Sequence, residues 1–182
     1  MLESTATTTP ESILDDCDRA LAMVEDLIAK VRPHQLNQPT PCGAWDVRAL
    51  LNHLVYENFM WTSLAVGAPR ADHDADHLEP TPLAAFRSAA AATRVAFHRP
   101  GVLRERFGPA PGWRMVEQLL IEMLVHGWDL ARATGQPTDL LPDPIERCRG
   151  RARRTRQHPQ WTVRARVLVR SWSSWRRRCS TS

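Results

Sequence analysis

The sequence lacks long apolar runs, paired cysteines and glycine-rich loops. No apolar stretch approaches the roughly 20 residues that a transmembrane helix needs. The polar, threonine-rich start of the chain has none of the charged and apolar segments of a signal peptide. We therefore expect a cytoplasmic protein that does not enter a membrane. Neither a βαβ pattern nor a glycine-rich phosphate loop nor an internal repeat is visible.

The cysteines are scattered along the chain and form no CxxC pair; they are Cys17, Cys42, Cys148 and Cys179. In a cytosolic protein this spacing argues for free thiols rather than for a disulfide framework or a zinc knuckle. Cys42 lies in a turn, Thr40-Pro41-Cys42-Gly43, and is the cysteine that we expect nearest to a site. Without a lowered pKa it is an inert turn residue, which is the interpretation that the pattern favours.

The net charge of +4 conceals two segments of opposite charge. Residues 1–145 contain 12 Lys and Arg against 19 Asp and Glu, a net charge of −7. Residues 146–182 contain 12 Arg and one acid, a net charge of +11. Such an asymmetry separates a globular part of the chain from a basic tail.

The periodicity of apolar residues predicts an all-α protein with four long helices. The helices are expected over residues 10–31, 46–65, 81–98 and 113–134, with Thr9, Asp46 and Thr81 as N-terminal caps and Gly135 as a C-terminal cap. Four such helices make a bundle over residues 10–142. Residues 1–9 are predicted to be disordered, and residues 143–182 to be a basic tail without regular structure.

The spacing of Glu122 and His126 is the pattern with the most chemical content. Residues four apart on a helix lie on one face, so this carboxylate and this imidazole can reach one divalent ion. His53, in the leucine-rich second helix, can supply a third ligand if the two helices pack together. Two imidazoles and one carboxylate are the ligand set of a catalytic zinc site with open positions.

A hydrogen-bonded core network explains the same residues without a metal. A buried carboxylate is costly unless it is paired or coordinates an ion, and a histidine partner satisfies that requirement too. With a metal, Asp129 is predicted either to orient an imidazole or to contact a ligand. Without one, it is a surface acid paired with Arg132. The acidic loop from Asp72 to His77 is expected to be solvated rather than a metal site.

Two long segments resemble the mycothiol-dependent maleylpyruvate isomerase N-terminal domain family. They are residues 39–54 (PTPCGAWDVRALLNHL) and residues 122–135 (EMLVHGWDLARATG). The family belongs to the DinB-like superfamily of metal-binding four-helix bundles, and the resemblance covers about residues 10–142. It implies a divalent metal, usually zinc, held by His53, Glu122 and His126.

The resemblance also implies thiol chemistry at that metal. A low-molecular-weight thiol such as mycothiol would be the cosubstrate and an electrophilic small molecule the substrate, in a transfer or an isomerisation, with Asp129 and Arg132 as the residues that orient them. The family's isomerase has a second domain that a chain of this length does not accommodate, so isomerase activity proper is in doubt. A metal-stabilised binding bundle without turnover is the alternative. Bundles with exposed apolar edges often dimerise, so a homodimer is a further expectation.

The basic tail has two explanations. Its arginines, together with Trp161, Trp172 and Trp175, suit nucleic-acid binding by phosphate neutralisation and base stacking. It has no lysine and almost no acids, however, and a GC-rich gene read out of frame yields this composition. We favour a frameshift product or a disordered tail over nucleic-acid binding.

Overall fold

The computed structural model describes residues 10–43, 45–108 and 110–154. Over these residues its long helices are α1 (Pro10–Ala29), α2 (Val47–Val66), α3 (Pro82–Phe97) and α4 (Gly112–Thr134). These bounds agree with the predicted helices to within about two residues. The predicted all-α four-helix bundle is therefore confirmed.

Two short elements connect the helices. A 3₁₀ turn, Pro33–Gln35, follows α1, and an antiparallel ribbon of β1 (Arg106–Phe107) and β2 (Ala110–Pro111) precedes α4. The side chain of Gln35 donates to the backbone oxygen of Thr134 at 3.0 Å. The segment between α1 and α2 is thereby tied to the end of α4.

The core lies where α1 packs on α4 and α2 packs on α3 and α4. It consists mainly of fully buried leucine, valine and phenylalanine side chains, and each contributes roughly 1.5–3 kcal/mol relative to an exposed position. α4 packs closely against α1 at Gly127, where an added Cβ would come within 2.6 Å of the Met23 side chain. A larger residue at this position next to His126 would therefore have to displace the Met23 side chain.

Polar side chains cap the helices as the sequence predicts. Asp46 accepts a hydrogen bond from the Ala49 amide at 2.8 Å, and Thr81 accepts one from the Ala84 amide at 3.2 Å. Gly135, at φ 70°, ends α4 in the left-handed conformation. Thr9, predicted to cap α1, lies outside the described residues.

The rotation of α2 about its axis is fixed by polar contacts on two sides. On one side the buried Asn58 accepts a hydrogen bond from the Thr93 hydroxyl of α3 at 2.9 Å. On the other, Asn52 donates to the Ala75 oxygen at 3.0 Å and accepts from the His77 amide at 2.7 Å. With both faces anchored, His53 is directed towards α4.

The chain divides into two compact units, Met1–Pro142 and Asp143–Ser182. In the second unit the structure differs from the predicted tail, because helix α5 (Pro142–Arg154) forms where no regular structure was expected. Pro142 at the first helical position and Asp143 in the first turn both favour a helix start, and the prediction overlooked them. The other segments predicted to lack regular structure, residues 1–9 and 155–182, lie outside the described residues. Among the helices that are described, none has the length and apolar character to span a membrane.

Candidate metal centre

α2 and α4 bring the three predicted metal ligands together. The Nε2 atom of His126 lies 3.3 Å from Oε2 of Glu122, and Nε2 of His53 lies 3.8 Å from the same oxygen. One ligand atom from each of the three residues falls within 4.8 Å of the others. The helical spacing of Glu122 and His126 and the packing of α2 on α4 therefore create one convergent group.

The Nε2 atom of His53 is the feature that fits a metal best. It is buried and has no hydrogen-bond partner. Its nearest acids, Glu122 at 3.8 Å and Glu57 at 3.9 Å, are beyond hydrogen-bond distance. A neutral imidazole nitrogen is a common metal ligand, and leaving it buried without a partner costs free energy. The donor set and its geometry thus fit a divalent ion.

Glu122 is held as an anion with one oxygen directed at the imidazoles. Its Oε1 accepts a hydrogen bond from the Gln118 side chain at 3.0 Å, which leaves Oε2 facing His126 and His53. Burial by itself raises the pKa of this carboxyl, but the two imidazoles and the Gln118 amide more than offset it, so the pKa of Glu122 lies well below its ordinary value. A permanently ionised carboxylate is what a cation site requires.

His126 lies between two carboxylates. Its Nδ1 is 3.1 Å from Oδ2 of Asp129, while its Nε2 faces Glu122. Burial lowers the pKa of His126, yet Asp129 and Glu122 outweigh that effect and raise it to about 9. Asp129 therefore occupies the position of an acceptor that orients a ligating imidazole.

Arg132 is placed differently from the other predicted site residues. It is exposed, and its guanidinium lies 5.9 Å from the ring centre of Trp128. In the described part of the chain no hydrogen bond or ion pair joins it to Asp129 or to the three ligands. The alternative pairing of Asp129 with Arg132 is thus not formed, and the role of Arg132 in orienting a substrate stays a prediction.

Trp45 covers the two imidazoles, a role that the sequence did not indicate. Its ring centre is 4.5 Å from that of His53 and 5.5 Å from that of His126. The backbone of Trp45 is fixed by the turn before it, since its amide donates to the Cys42 oxygen at 2.8 Å and its oxygen accepts from the Thr40 hydroxyl at 2.9 Å. The sequence signal that could have indicated this role is the position of Trp45 directly before Asp46, the cap of α2.

Glu57 adds a second carboxylate beside His53. It follows His53 by one helical turn, and its Oε2 accepts a hydrogen bond from the Trp61 indole at 2.9 Å. Its Oε1 is the atom that lies 3.9 Å from Nε2 of His53. The sequence indicated no role for Glu57 or Trp61.

Cys42 lies at the same centre, as its turn position suggested. One ligand atom each of Cys42, His126 and Asp129 lies within 4.8 Å of the others. Burial, together with the negative charges of Asp129 and Glu122, raises the pKa of the Cys42 thiol. Without a bound ion such a thiol is mostly protonated at neutral pH and a weak nucleophile.

The acidic loop contributes no ligand group of this kind. Within the described residues, the groups of three or more side chains that can hold a metal both include His126. Asp72 and His77 instead make hydrogen bonds inside the loop, at 3.0 Å to the Asp74 amide and at 2.8 Å between the His77 ring and the Asp72 oxygen.

Comparison with known proteins identifies the family. The family model for the mycothiol maleylpyruvate isomerase N-terminal domain matches residues 17–131, more than half of the chain. Two uncharacterized proteins of Mycobacterium tuberculosis, from strains CDC 1551 / Oshkosh and ATCC 25618 / H37Rv, are each 36% identical over 124 residues. That match spans 64% of this chain and 64% of each relative. No solved structure matches the chain significantly. On the family match, the chain belongs to the mycothiol maleylpyruvate isomerase N-terminal domain family.

Proposed function

We propose that His53, Glu122 and His126 hold a divalent metal, with zinc the first candidate, and that the protein uses it to react a low-molecular-weight thiol with an electrophile. The observation that carries the metal site is the buried, unpartnered Nε2 of His53 facing Glu122 and His126. The thiol is supported by the family's description, which names mycothiol. The reaction class is a thiol transfer or a thiol-dependent isomerisation.

The ligand set suits catalysis better than a purely structural role. Structural zinc sites use four protein ligands, whereas two imidazoles and one carboxylate leave a position for an exogenous ligand. When bound there, a divalent metal supplies a positive charge that lowers the pKa of a thiol ligand, so that the thiolate is present near neutral pH.

The chain's own residues orient the ligands and keep water away. Gln118 fixes the rotamer of Glu122, and Asp129 accepts from Nδ1 of His126 so that Nε2 faces the centre. Trp45 covers both imidazoles and removes one face of the centre from solvent. Arg132, exposed on α4, is proposed to contact a charged part of the thiol or the substrate.

In the transfer, the thiolate sulfur forms a bond to the electrophilic carbon, and the leaving group departs with the electron pair of its bond. In the isomerisation, the sulfur adds to a double bond and is expelled again after rotation. Both reactions need the sulfur as an anion, so they need a positive centre next to the thiol to stabilise the thiolate.

The test is thiol consumption by zinc-loaded protein incubated with mycothiol and a panel of electrophiles. We expect consumption by the wild type and its loss in His126→Ala, in parallel with zinc content. His98→Ala is the control, because His98 pairs with Asp18 on the surface at 2.8 Å. If the wild type binds zinc but consumes no thiol, the metal-stabilised binding bundle is the correct function.

A further inference from the structure

His126 belongs to two groups of potential ligands. On its Nε2 side are Glu122 and His53, the centre proposed above. Its Nδ1 lies 3.1 Å from Asp129. One ligand atom each of Cys42, His126 and Asp129 falls within 4.8 Å of the others, and these residues are the second group. The second group differs from the first in containing a sulfur atom.

Both outer members of this second group are fixed by their surroundings. The Cys42 amide donates to the Thr40 hydroxyl at 3.2 Å, and its oxygen accepts from the Trp45 amide at 2.8 Å, so the turn holds the cysteine in place. Asp129 is on α4, only 7% exposed and one helical turn from His126. A helix and a hydrogen-bonded turn thus present a sulfur, a nitrogen and an oxygen to one point.

We propose that Cys42, His126 and Asp129 form a second, alternative metal position that takes a thiophilic divalent ion. A thiolate is a soft ligand and selects soft or borderline ions, whereas the imidazole and carboxylate ligands of the first position accept harder ones. On binding, the ion replaces the proton of the Cys42 thiol, and that proton leaves to solvent.

We take Nδ1, the nitrogen that faces Asp129, as the His126 ligand of the second position. The two positions then compete because a neutral imidazole has one unprotonated nitrogen. When Nε2 binds an ion, the proton stays on Nδ1 and is donated to Asp129. When Nδ1 binds an ion, the proton moves to Nε2, which faces Oε2 of Glu122 at 3.3 Å. Each tautomer of His126 therefore finds a carboxylate acceptor, and the protein holds one ion in either arrangement.

Cadmium is the probe that separates the two positions. Binding of Cd²⁺ to a thiolate produces a near-ultraviolet sulfur-to-metal absorption band that nitrogen and oxygen ligands do not give. We expect this band in wild-type protein with one equivalent of Cd²⁺. It should be lost in Cys42→Ser and strongly reduced in His126→Ala and Asp129→Asn. The Cd²⁺ affinity should fall by about 10- to 100-fold in these variants.

His53→Ala makes the experiment specific. It removes a ligand of the first position only, so the cadmium band should persist while zinc binding falls. Cys148→Ser is the matched cysteine control and should leave the band unchanged. Helical circular dichroism of each variant checks that the bundle is intact. If His126→Ala fails to fold, Asp129→Asn still tests the second position, because it keeps the size of the side chain.

The inference is overturned if the wild type shows no band, if the band survives Cys42→Ser, or if His53→Ala abolishes it. Failure of the proposed function gives a different result, namely no zinc bound at His53, Glu122 and His126 while the Cys42-dependent cadmium band is present. The two hypotheses can therefore fail separately.

Discussion

At the scale of single residues, His126 is the residue that links the two carboxylates of the candidate centre. Each of its ring nitrogens faces a carboxylate, Asp129 at 3.1 Å and Glu122 at 3.3 Å, and both His126 and Asp129 are buried. These two acids favour a proton on the imidazole, and in the proposed metal site Glu122 would be a fellow ligand. In this proposal the hydrogen-bonded network and the metal site are two states of the same residues.

The raised pKa of His126 predicts a pH dependence of metal binding. An unfolded histidine titrates near 6.5 and His126 titrates at about 9, so its stabilisation of the metal-free fold is complete below 6.5 and lost as pH rises through about 9. A metal must displace this proton, so zinc affinity should increase from neutral pH towards about 9.

Calorimetric titration with zinc in buffers of different ionisation enthalpy measures the released proton. We expect release of about one proton from His126 near neutral pH, falling as the pH approaches its pKa. Zinc binding without proton release, and with an affinity independent of pH, would contradict the pairing of His126 with Asp129 and Glu122.

Some residues of the centre were predictable and others were not. The i to i+4 spacing places Glu122 and His126 on one face of any helix, so their pairing follows from local geometry. The contribution of Trp45 depends on the path of the turn between α1 and α2, which is set by hydrogen bonds of the Thr40 hydroxyl and of the backbone. Periodicity contains no information about such a turn.

At the scale of elements, several helix ends were predictable because they have a chemical marker. Asp46 and Thr81 satisfy the first amides of α2 and α3, and Gly67 and Gly135 adopt the positive φ that ends a helix. The end of α1 was predicted two residues too late, at Val31, because Pro33 marks where a helix cannot continue rather than where it stops.

The Asp46 cap gives a prediction for α2. Asp46→Ala removes the acceptor of the Ala49 amide, and we expect the free energy of unfolding to fall by about 1 kcal/mol. Asp46→Asn retains an oxygen at this position and should cost much less. Urea unfolding of the three proteins measures the difference; equal losses in both variants would show that the side-chain cap does not stabilise α2.

At the scale of the whole molecule, the chain combines an acidic helical bundle with an arginine-rich tail. Helix α5 begins at Pro142, close to where the charge changes sign. The frameshift hypothesis for the tail concerns the gene, and the nucleotide sequence tests it: another reading frame should restore an acidic, helical ending. Nucleic-acid binding by the tail remains the less favoured hypothesis.

Truncation separates the bundle from the tail. The four helices and all proposed ligands lie within Met1–Pro142, so a chain ending at residue 142 should keep its helical circular dichroism and bind as much zinc as the full chain. His53→Ala in the truncated chain serves as the negative control. Loss of zinc on truncation, with helicity retained, would show that residues after 142 complete the metal site.

The central claim is that His53, Glu122 and His126 together hold one divalent metal. Its most direct test is the zinc content of the purified full chain after zinc loading and dialysis, compared between the wild type and His53→Ala. We predict close to one zinc per chain in the wild type and a near-complete loss in the variant, with helicity unchanged. Equal zinc content in the two proteins, or none in the wild type, would contradict it.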